Sequence, residues 1–190
     1  MVNDAIIPAI LPKDAQDLVD KISLLPTEVP LIHLDVLESD VWAPISKDFE
    51  AHLMVEYPEE LIERWIDRGA RRVIVHKVPS RLEEWRAKVE VGFGIEMSLS
   101  LESAFKEIPN FDFVQIMSIA EIGEQGHPFD ERAFDRIREV RNKFPNIPIS
   151  VDGGINEKNY QILREMGVQR LIVGSQFKNL WSRLEAAVTD

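Results

Sequence analysis

Short apolar runs alternate with amphipathic segments along almost the whole chain. Several of these runs are rich in β-branched residues, which is typical of strands that are covered on both faces in parallel sheets. The pattern predicts eight strands, which span residues 5–11, 31–36, 50–56, 71–78, 91–99, 113–119, 148–154 and 170–177.

Apolar residues recur at helical spacing between most of these strands. Pro58 suits the first turn of a helix, and Gly69 and Gly167 suit the positions just after a helix ends. The segment between the second and third strands, residues 37–49, contains a proline and lacks a helical period, so we expect a short loop there. Helices are predicted over residues 14–25, 58–69, 80–90, 101–108, 130–144, 156–166 and 179–188.

Strict alternation of eight strands with helices predicts an α/β fold, a compact (β/α)8 TIM barrel that lacks the helix after its second strand. A doubly wound open sheet is the alternative. We expect one domain over residues 1–190, which is small for a fold that begins at about 200 residues. Trp42, in the segment that replaces the missing helix, is expected to plug the mouth of the barrel, with an exposed contact residue as the alternative.

The composition argues against several kinds of partner. The chain has no cysteine, so disulfides and thiolate metal sites are excluded. Its net charge of −11 argues against nucleic-acid and anionic-membrane partners, and a phosphorylated substrate would need local attraction from a metal or helix N-termini. No apolar run reaches the ~20 residues that cross a bilayer, and the first residues lack the basic start of a signal peptide. We therefore expect a cytoplasmic protein.

Four polar side chains interrupt the apolar strands near their carboxyl ends. His33 and Asp35 lie two residues apart in the second strand, so both point to the same face. His52 comes from the third strand and Asp152 from the end of the seventh. In a barrel these four residues would meet at the end where catalytic residues lie. Two histidines and two carboxylates suit one divalent ion, Zn²⁺, Fe²⁺, Mn²⁺ or Co²⁺, and the spacing does not choose among them.

Each of these residues also has a simpler interpretation. A single strand histidine is usually a hydrogen-bonded core residue, which is how we interpret His76 and His127. A single aspartate before two glycines usually belongs to a turn. The metal hypothesis therefore depends on all four residues converging on one side of the barrel.

Glycines after the last two strands supply a second signal. Gly153 and Gly154 follow the seventh strand, and Gly174 follows the eighth. Many barrels of this class bind phosphate in these two loops, because glycine lets backbone N–H groups approach an anion near a helix N-terminus. The alternative is that the glycines only make tight turns.

The chain resembles the ribulose-phosphate 3-epimerase family. The resemblance rests on stretches that extend in order from the first strand to the eighth: "IIPAIL", "LIHLDV", "AHLMVE", "VIVHK", "VQIMSI", "FDRIREVR", "ISVDGGIN" and "LIVGSQF". It implies a metal-dependent isomerase of carbohydrate metabolism that interconverts D-ribulose 5-phosphate and D-xylulose 5-phosphate in the pentose phosphate pathway. Members of the family are commonly oligomeric, so a homo-oligomer is a further expectation.

The resemblance also implies roles for individual residues. The metal would be held by His33, Asp35, His52 and Asp152, with Asp35 and Asp152 as the catalytic acid and base. The C3 proton lies next to a ketone, so epimerisation through an enediolate needs one carboxylate to remove it and another, on the opposite face, to return one. Contacts with the sugar and its phosphate would come from Met54, Met117, Gly123, Gly126, Gly153, Gly154, Gly174 and Ser175.

The chain departs from the family pattern where the substrate is covered. Ala9 replaces a serine, and the loop "AEIGEQGHPF" replaces a glycine-rich run and adds Glu121 and Glu124. Carboxylates that face a phosphate dianion would disfavour it, which predicts a weak activity. Two alternatives stay open: a related sugar-phosphate barrel enzyme that performs aldol cleavage or decarboxylation, and a catalytically silent minimal barrel.

Overall fold

Eight parallel strands close into a barrel in a computed structural model that describes residues 5–189. Each strand pairs with its neighbours in sequence, and β8 pairs with β1, so the prediction of a (β/α)8 barrel is confirmed and that of an open sheet is wrong. The strands are β1 (Ile6–Ile10), β2 (Leu31–Val36), β3 (Asp48–Leu53), β4 (Arg72–Val75), β5 (Glu90–Ile95), β6 (Phe113–Met117), β7 (Ile149–Asp152) and β8 (Arg170–Val173).

Helices follow every strand except β2. Asp14 and Ser100 begin two of them, because their side chains accept hydrogen bonds from backbone N–H groups of the first turn. Within the described residues the α-helices are α1 (Ala15–Ser23), α2 (Glu59–Asp67), α3 (Leu82–Arg86), α4 (Leu101–Glu107), α5 (Arg132–Lys143), α6 (Tyr160–Glu165) and α7 (Phe177–Thr189), and a 3₁₀ turn at Ile108–Asn110 extends α4. No helix between residues 5 and 189 is long and apolar enough to cross a bilayer.

Alternation along each strand separates two sets of buried side chains. One set points outward and packs against the helices; Leu34 and Leu53 of the strands and Trp65 of α2 belong to this apolar layer. The other set points into the barrel, where Phe113 fills space that Gly92 leaves open. A Cβ atom at Gly92 would lie 2.3 Å from the Phe113 ring. The inward set also contains nearly all the buried polar residues, so the chemistry of the protein is concentrated inside the barrel.

Trp42 lies outside the barrel rather than in its mouth. Its ring centroid lies 5.5 Å from that of Phe49, on the outward face of β3, and 5.4 Å from that of Trp65 in α2. The Arg68 guanidinium covers the rings of Trp42 and Trp65. The prediction that Trp42 plugs the mouth was therefore wrong: it is half-buried and covers the outer strand face that the missing helix would otherwise cover.

Asp40 anchors the same segment to α2. Its backbone has φ of +44°, and its carboxylate accepts hydrogen bonds from Trp65 Nε1 at 3.0 Å and Arg68 Nη1 at 2.7 Å, and another from Arg64. Burial raises the pKa of Asp40, but the hydrogen bonds from Arg68 and Arg64 outweigh this and lower it. One ionised side chain thus fastens the loop that takes the place of a helix.

Candidate metal centre and active site

His33, Asp35, His52 and Asp152 converge inside the barrel at the carboxyl ends of β2, β3 and β7. Strand register places Asp35 beside His52, and both imidazoles are fully buried. His33 Nε2 lies 3.1 Å from His52 Nδ1. The carboxylate oxygens of Asp35 and Asp152 lie 3.5 and 3.7 Å from His33 Nε2, and each lies 3.4 Å from His52 Nδ1. The structure thus brings together the four residues that the sequence singled out.

These distances fit a single divalent ion. Ligand atoms that surround an ion tetrahedrally at ~2.1 Å are separated from one another by about 3.4 Å. The five separations above run from 3.1 to 3.7 Å, and all four ligand atoms lie within 4.8 Å of one another. Imidazole nitrogens and carboxylate oxygens are also suitable ligands for such ions. The four residues could therefore hold a metal ion.

A buried carboxylate, that of Glu50, binds the outer nitrogen of His33. Glu50 is 1% exposed, and its Oε1 accepts a hydrogen bond from His33 Nδ1 at 2.6 Å. If an ion displaces the proton from Nε2, the neutral ring keeps its one N–H on Nδ1, bonded to Glu50, and presents its lone pair on Nε2 beside Asp35 and Asp152. Carboxylates in this position orient metal-binding histidines and raise their basicity.

Arginines from the amino ends of β4 and β8 compensate the charge of Glu50. Arg72 Nε lies 3.0 Å from Glu50 Oε2, and Arg170 lies 3.7 Å from the neighbouring Glu90. Burial raises the pKa of Glu50, but the hydrogen bond with His33 and the charges of Arg72 and Arg170 outweigh it and lower the pKa. Glu50 is therefore ionised, although it is buried.

The charges around the cluster favour positive charge at its centre. Burial lowers the pKa of His33, but hydrogen bonds to Asp35 and Glu50 outweigh it and raise the pKa to about 10. Burial likewise lowers the pKa of His52, which hydrogen bonds to Asp152 and Asp35 raise above its ordinary value. For Asp35, burial raises the pKa, but the hydrogen bonds with His33 and His52 outweigh burial, so the pKa lies below its ordinary value. A divalent ion carries more positive charge than a proton, so the same carboxylates attract it.

His76, which directly follows β4, contacts the outer side of His52. The two Nε2 atoms lie 2.8 Å apart, and His76 Nδ1 lies 3.3 Å from Glu96 Oε1. Gly94 leaves room for the ring, because a Cβ atom there would lie 2.7 Å from His76 Cε1. Burial, and after it the charge of His52, lowers the pKa of His76 to about 3, so its ring is neutral.

Gln115 of β6 orients the carboxylate of Asp152. Its Nε2 donates a hydrogen bond to Asp152 Oδ2 at 3.1 Å and lies 3.4 Å from His52 Nδ1. Since an ionised carboxylate only accepts hydrogen bonds, the amide nitrogen rather than the amide oxygen faces Asp152. Gln115 therefore presents a donor to both groups.

A cavity of about 480 Å³ opens at the carboxyl ends of the strands, a volume within the usual range for small-molecule sites. Asp35 and Asp152 line it, while His33 and His52 are fully buried. The cavity is also lined by all eight residues predicted to contact the sugar or its phosphate, namely Met54, Met117, Gly123, Gly126, Gly153, Gly154, Gly174 and Ser175.

The glycines after β7 cannot be replaced without a clash. Gly154 has φ of +63°, and a Cβ atom there would lie 2.3 Å from the backbone nitrogen of Phe129. Gly174 and Ser175 line the cavity and precede α7, so the positive end of the helix dipole lies on this side of the cavity and would favour an anion there. Lys158 also lines the cavity and supplies a positive charge.

The loop between β6 and α5 covers part of the cavity. Gln125 Nε2 donates a hydrogen bond to the backbone oxygen of Ala9 at 3.3 Å, so the loop is joined to β1 at the position where the family has a serine. Glu124 lines the cavity and lies 3.5 Å from His127 Nε2. Glu124 is thus the one of the two added acids that borders the cavity, while Glu121 does not line it.

Sequence reasoning missed three residues that surround the candidate metal ligands. Glu50 and Gln115 each lie two positions from a predicted site residue on the same strand, so alternation could have placed them on the inward face. His76 was interpreted as a hydrogen-bonded core histidine, which agrees with its burial. Its bond to His52 could not be predicted, because it depends on how β3 and β4 align.

Fold and site together define a (β/α)8 barrel protein with a His₂Asp₂ cluster beneath glycine-rich loops suited to an anion. The profile of the ribulose-phosphate 3-epimerase family matches residues 5–178, and the chain belongs to this family of isomerases. The resemblance seen in the motifs is therefore confirmed.

Curated relatives agree with this assignment, and a solved structure agrees with the fold. The chain is 29% identical to the ribulose-phosphate 3-epimerase of Chlamydia muridarum over 175 residues, which cover 77% of this chain and 75% of the relative. It is 28% identical to that of Aquifex aeolicus over 171 residues, 76% of each chain. The crystal structure of KGPDC from Streptococcus mutans is similar with a TM-score of 0.67 and 12% identity, and the match covers 90% of this chain and 87% of that one. At that identity the likeness concerns the fold alone.

Proposed function

We propose that the chain interconverts D-ribulose 5-phosphate and D-xylulose 5-phosphate by epimerisation at C3, with a divalent ion bound by the His₂Asp₂ cluster. The observation that carries the proposal is the placement of Asp35 and Asp152. Both carboxylates belong to the cluster and both line the cavity, whereas the two histidines are fully buried. The aspartates can therefore reach a ligand in the cavity and a metal ion at the same time.

The chemistry requires two carboxylates. A divalent ion at the cluster would supply Lewis-acid polarisation of the C2 ketone, which makes the C3 proton more acidic. One aspartate removes this proton, and the other delivers a proton to the opposite face of the planar enediolate. Asp35 from β2 and Asp152 from β7 approach the cluster from different strands, and Gln115 fixes the orientation of Asp152.

The rest of the cavity suits a phosphorylated sugar. Met54 and Met117 supply a polarisable apolar surface beside the two aspartates. At the other end, Gly154 and Gly174 allow backbone N–H groups to approach the phosphate, and Lys158 adds a positive charge. This local attraction offsets the net negative charge of the protein. Zn²⁺, Fe²⁺, Mn²⁺ and Co²⁺ all suit the four ligands.

The test is to incubate the protein with ribulose 5-phosphate and each of the four ions in D₂O and to follow the products by NMR. We expect xylulose 5-phosphate with deuterium at C3. Asp35→Asn and Asp152→Asn should each lower the rate by about 10²- to 10⁴-fold. Asp48→Asn, in the same strand as His52 but 54% exposed, is the matched control and should leave the rate unchanged.

Other outcomes discriminate among the alternatives. Cleavage of a carbon–carbon bond would show that the protein is an aldolase or a decarboxylase instead of an epimerase. Absence of C3 exchange with all four ions would contradict enzymatic function and favour a silent barrel. His33→Ala should abolish stoichiometric metal content, and retention of the metal would refute the site.

A further inference from the structure

We infer that His76 and Glu96 are positioning residues that hold His52 in the one tautomer whose Nδ1 can bind a divalent ion. The inference rests on the metal centre of the proposed function and extends it to two residues outside the ligand set. It follows from the chain of contacts that leads outward from the cluster: His52, then His76, then Glu96.

His52 uses both ring nitrogens. Nδ1 lies 3.4 Å from carboxylate oxygens of Asp35 and Asp152, and Nε2 lies 2.8 Å from Nε2 of His76. A neutral imidazole has one N–H and one lone pair, so only the tautomer with its proton on Nε2 presents a lone pair to a metal. That proton must then be accepted by His76.

The surroundings of His76 make its Nε2 an acceptor. Its Nδ1 lies 3.3 Å from a carboxylate oxygen of Glu96, and a lone pair there would face negative charge. Two ring nitrogens 2.8 Å apart are bridged by one hydrogen, so one of them accepts, and a His76 proton favoured on Nδ1 makes His76 Nε2 the acceptor. His76 Nε2 then accepts the hydrogen bond from His52 Nε2, and the lone pair of His52 lies on Nδ1.

Gln115 supports the same tautomer from the inner side. Its amide nitrogen, whose orientation is set by Asp152, lies 3.4 Å from His52 Nδ1. A donor at this distance favours a lone pair on Nδ1 over an N–H group. Without an ion, the carboxylates of Asp35 and Asp152 beside Nδ1 favour a proton there. With an ion to compensate these carboxylates, the contacts with Gln115 and His76 both favour the tautomer that is protonated on Nε2.

The two candidate histidine ligands are consequently oriented in parallel ways. His33 is hydrogen-bonded to the buried Glu50, and His52 is paired with His76, whose Nδ1 lies within ion-pair distance of Glu96. Glu96 is 39% exposed and borders a second, smaller cavity that His76 also lines. The contacts of His52 therefore reach the surface through Glu96, whereas those of His33 run through the buried Glu50 to Arg72 at the amino end of β4.

The first measurement is Zn²⁺ affinity, by competition with a chromophoric chelator. His76→Leu removes the acceptor and should weaken Zn²⁺ binding by about 10- to 100-fold, the usual effect of losing an outer partner of a ligand histidine. His76→Gln keeps an acceptor oxygen and should restore most of the affinity. Glu96→Gln should give a smaller loss than His76→Leu. Glu102→Gln, an equally conservative change at an exposed position on α4, should leave the affinity unchanged.

The second measurement is the proton position itself. Long-range ¹H–¹⁵N NMR spectra of the Zn²⁺-loaded protein should show His52 protonated on Nε2 and His76 protonated on Nδ1. These spectra need no variant, so they decide the question even if His76→Leu fails to fold.

Two results would overturn the inference: a folded His76→Leu variant with unchanged affinity, or a proton on Nε2 of His76. If the wild-type protein binds none of Zn²⁺, Fe²⁺, Mn²⁺ and Co²⁺, both the inference and the metal centre are refuted. If it binds Zn²⁺ but gives no C3 exchange with any of the four ions, only the proposed reaction is refuted, and the affinity series still tests His76.

Discussion

Replacing Glu50 by glutamine isolates the contribution of one buried charge to metal binding. The two side chains have nearly the same shape, and the amide oxygen can still accept the hydrogen bond from His33 Nδ1, now 2.6 Å from the carboxylate. The substitution removes the charge and replaces the second oxygen, 3.0 Å from Arg72 Nε, by an amide nitrogen that cannot accept a hydrogen bond. Any change in affinity reports how strongly the carboxylate supports the ligand nitrogen on the far side of the imidazole.

The expected magnitude follows from the hydrogen bond. A hydrogen bond to a charged group contributes about 1.5–3 kcal/mol, against about 1 kcal/mol for a neutral pair, so the loss is about 0.5–2 kcal/mol. This corresponds to about a 2- to 30-fold weaker affinity. The pKa of His33, raised to about 10, also falls in the variant, which eases proton displacement. Because the carboxylate attracts a divalent ion about twice as strongly as a proton at the same atom, metal binding still weakens overall.

The assay is a competition titration of Zn²⁺ against a chelator at constant pH. Glu90→Gln is the matched control, because Glu90 contacts the same arginines but is 58% exposed and lies outside the contacts of His33. The control should bind Zn²⁺ like the wild type. Urea unfolding of the metal-free variant should show a loss of about 1–3 kcal/mol, since Arg72 loses its buried partner. Equal Zn²⁺ affinity in Glu50→Gln and wild type would refute the assigned role of the carboxylate.

Two further predictions concern the loop after β2 and the glycines of the cavity. Asp40→Ala should lower the free energy of unfolding by about 1–2 kcal/mol in urea titrations at neutral pH, because it removes the hydrogen-bond partner of the buried Trp65 indole and of Arg68. The control Asp48→Ala should change the free energy of unfolding by less than about 0.5 kcal/mol. Folding lowers the pKa of Asp40, so its contribution to the free energy of unfolding should disappear as the pH falls from about 4, the ordinary pKa of aspartate, towards the lower pKa of the folded state. A difference between the variant and the wild type that persists at lower pH would contradict this assignment. Gly154→Ala should lower the melting temperature and prevent sugar-phosphate binding in calorimetry, because a Cβ atom would lie 2.3 Å from loop backbone. Gly126→Ala, also at positive φ but with open space around it, should cost only backbone strain, and equal effects of the two changes would show that the clash is relieved by movement of the loop.

Much of the candidate site could be predicted because it depends on local periodicity. Alternation along β2 and β3 places His33, Asp35 and His52 on the inward face, and the position of Asp152 at the end of β7 places it at the same rim. Eight strands in alternation with helices leave few topologies other than the barrel. Each of these predictions needs only the order of polar and apolar residues along the chain.

Trp42, Glu50 and His76 show where such reasoning ends. Whether Trp42 lies in the mouth or on the outer face of β3 depends on the path of a loop without periodicity. Whether Glu50 and His76 touch the candidate ligand histidines depends on the register between strands and on the distance across the closed barrel. These contacts join residues 17 and 24 positions apart.

The sequence by itself determined the barrel and the four inward-facing ligand candidates, because both depend on hydrophobic periods of 2 and 3.6 residues that are written locally. Only the tertiary structure decided which side chains contact the outer nitrogens of the two candidate histidine ligands. Barrel closure sets the separations of side chains from different strands, and a shift of one residue in register would turn His76 away from His52. The candidate ligands thus follow from the sequence pattern, whereas the contacts on the outer sides of their rings follow from the packing of the barrel.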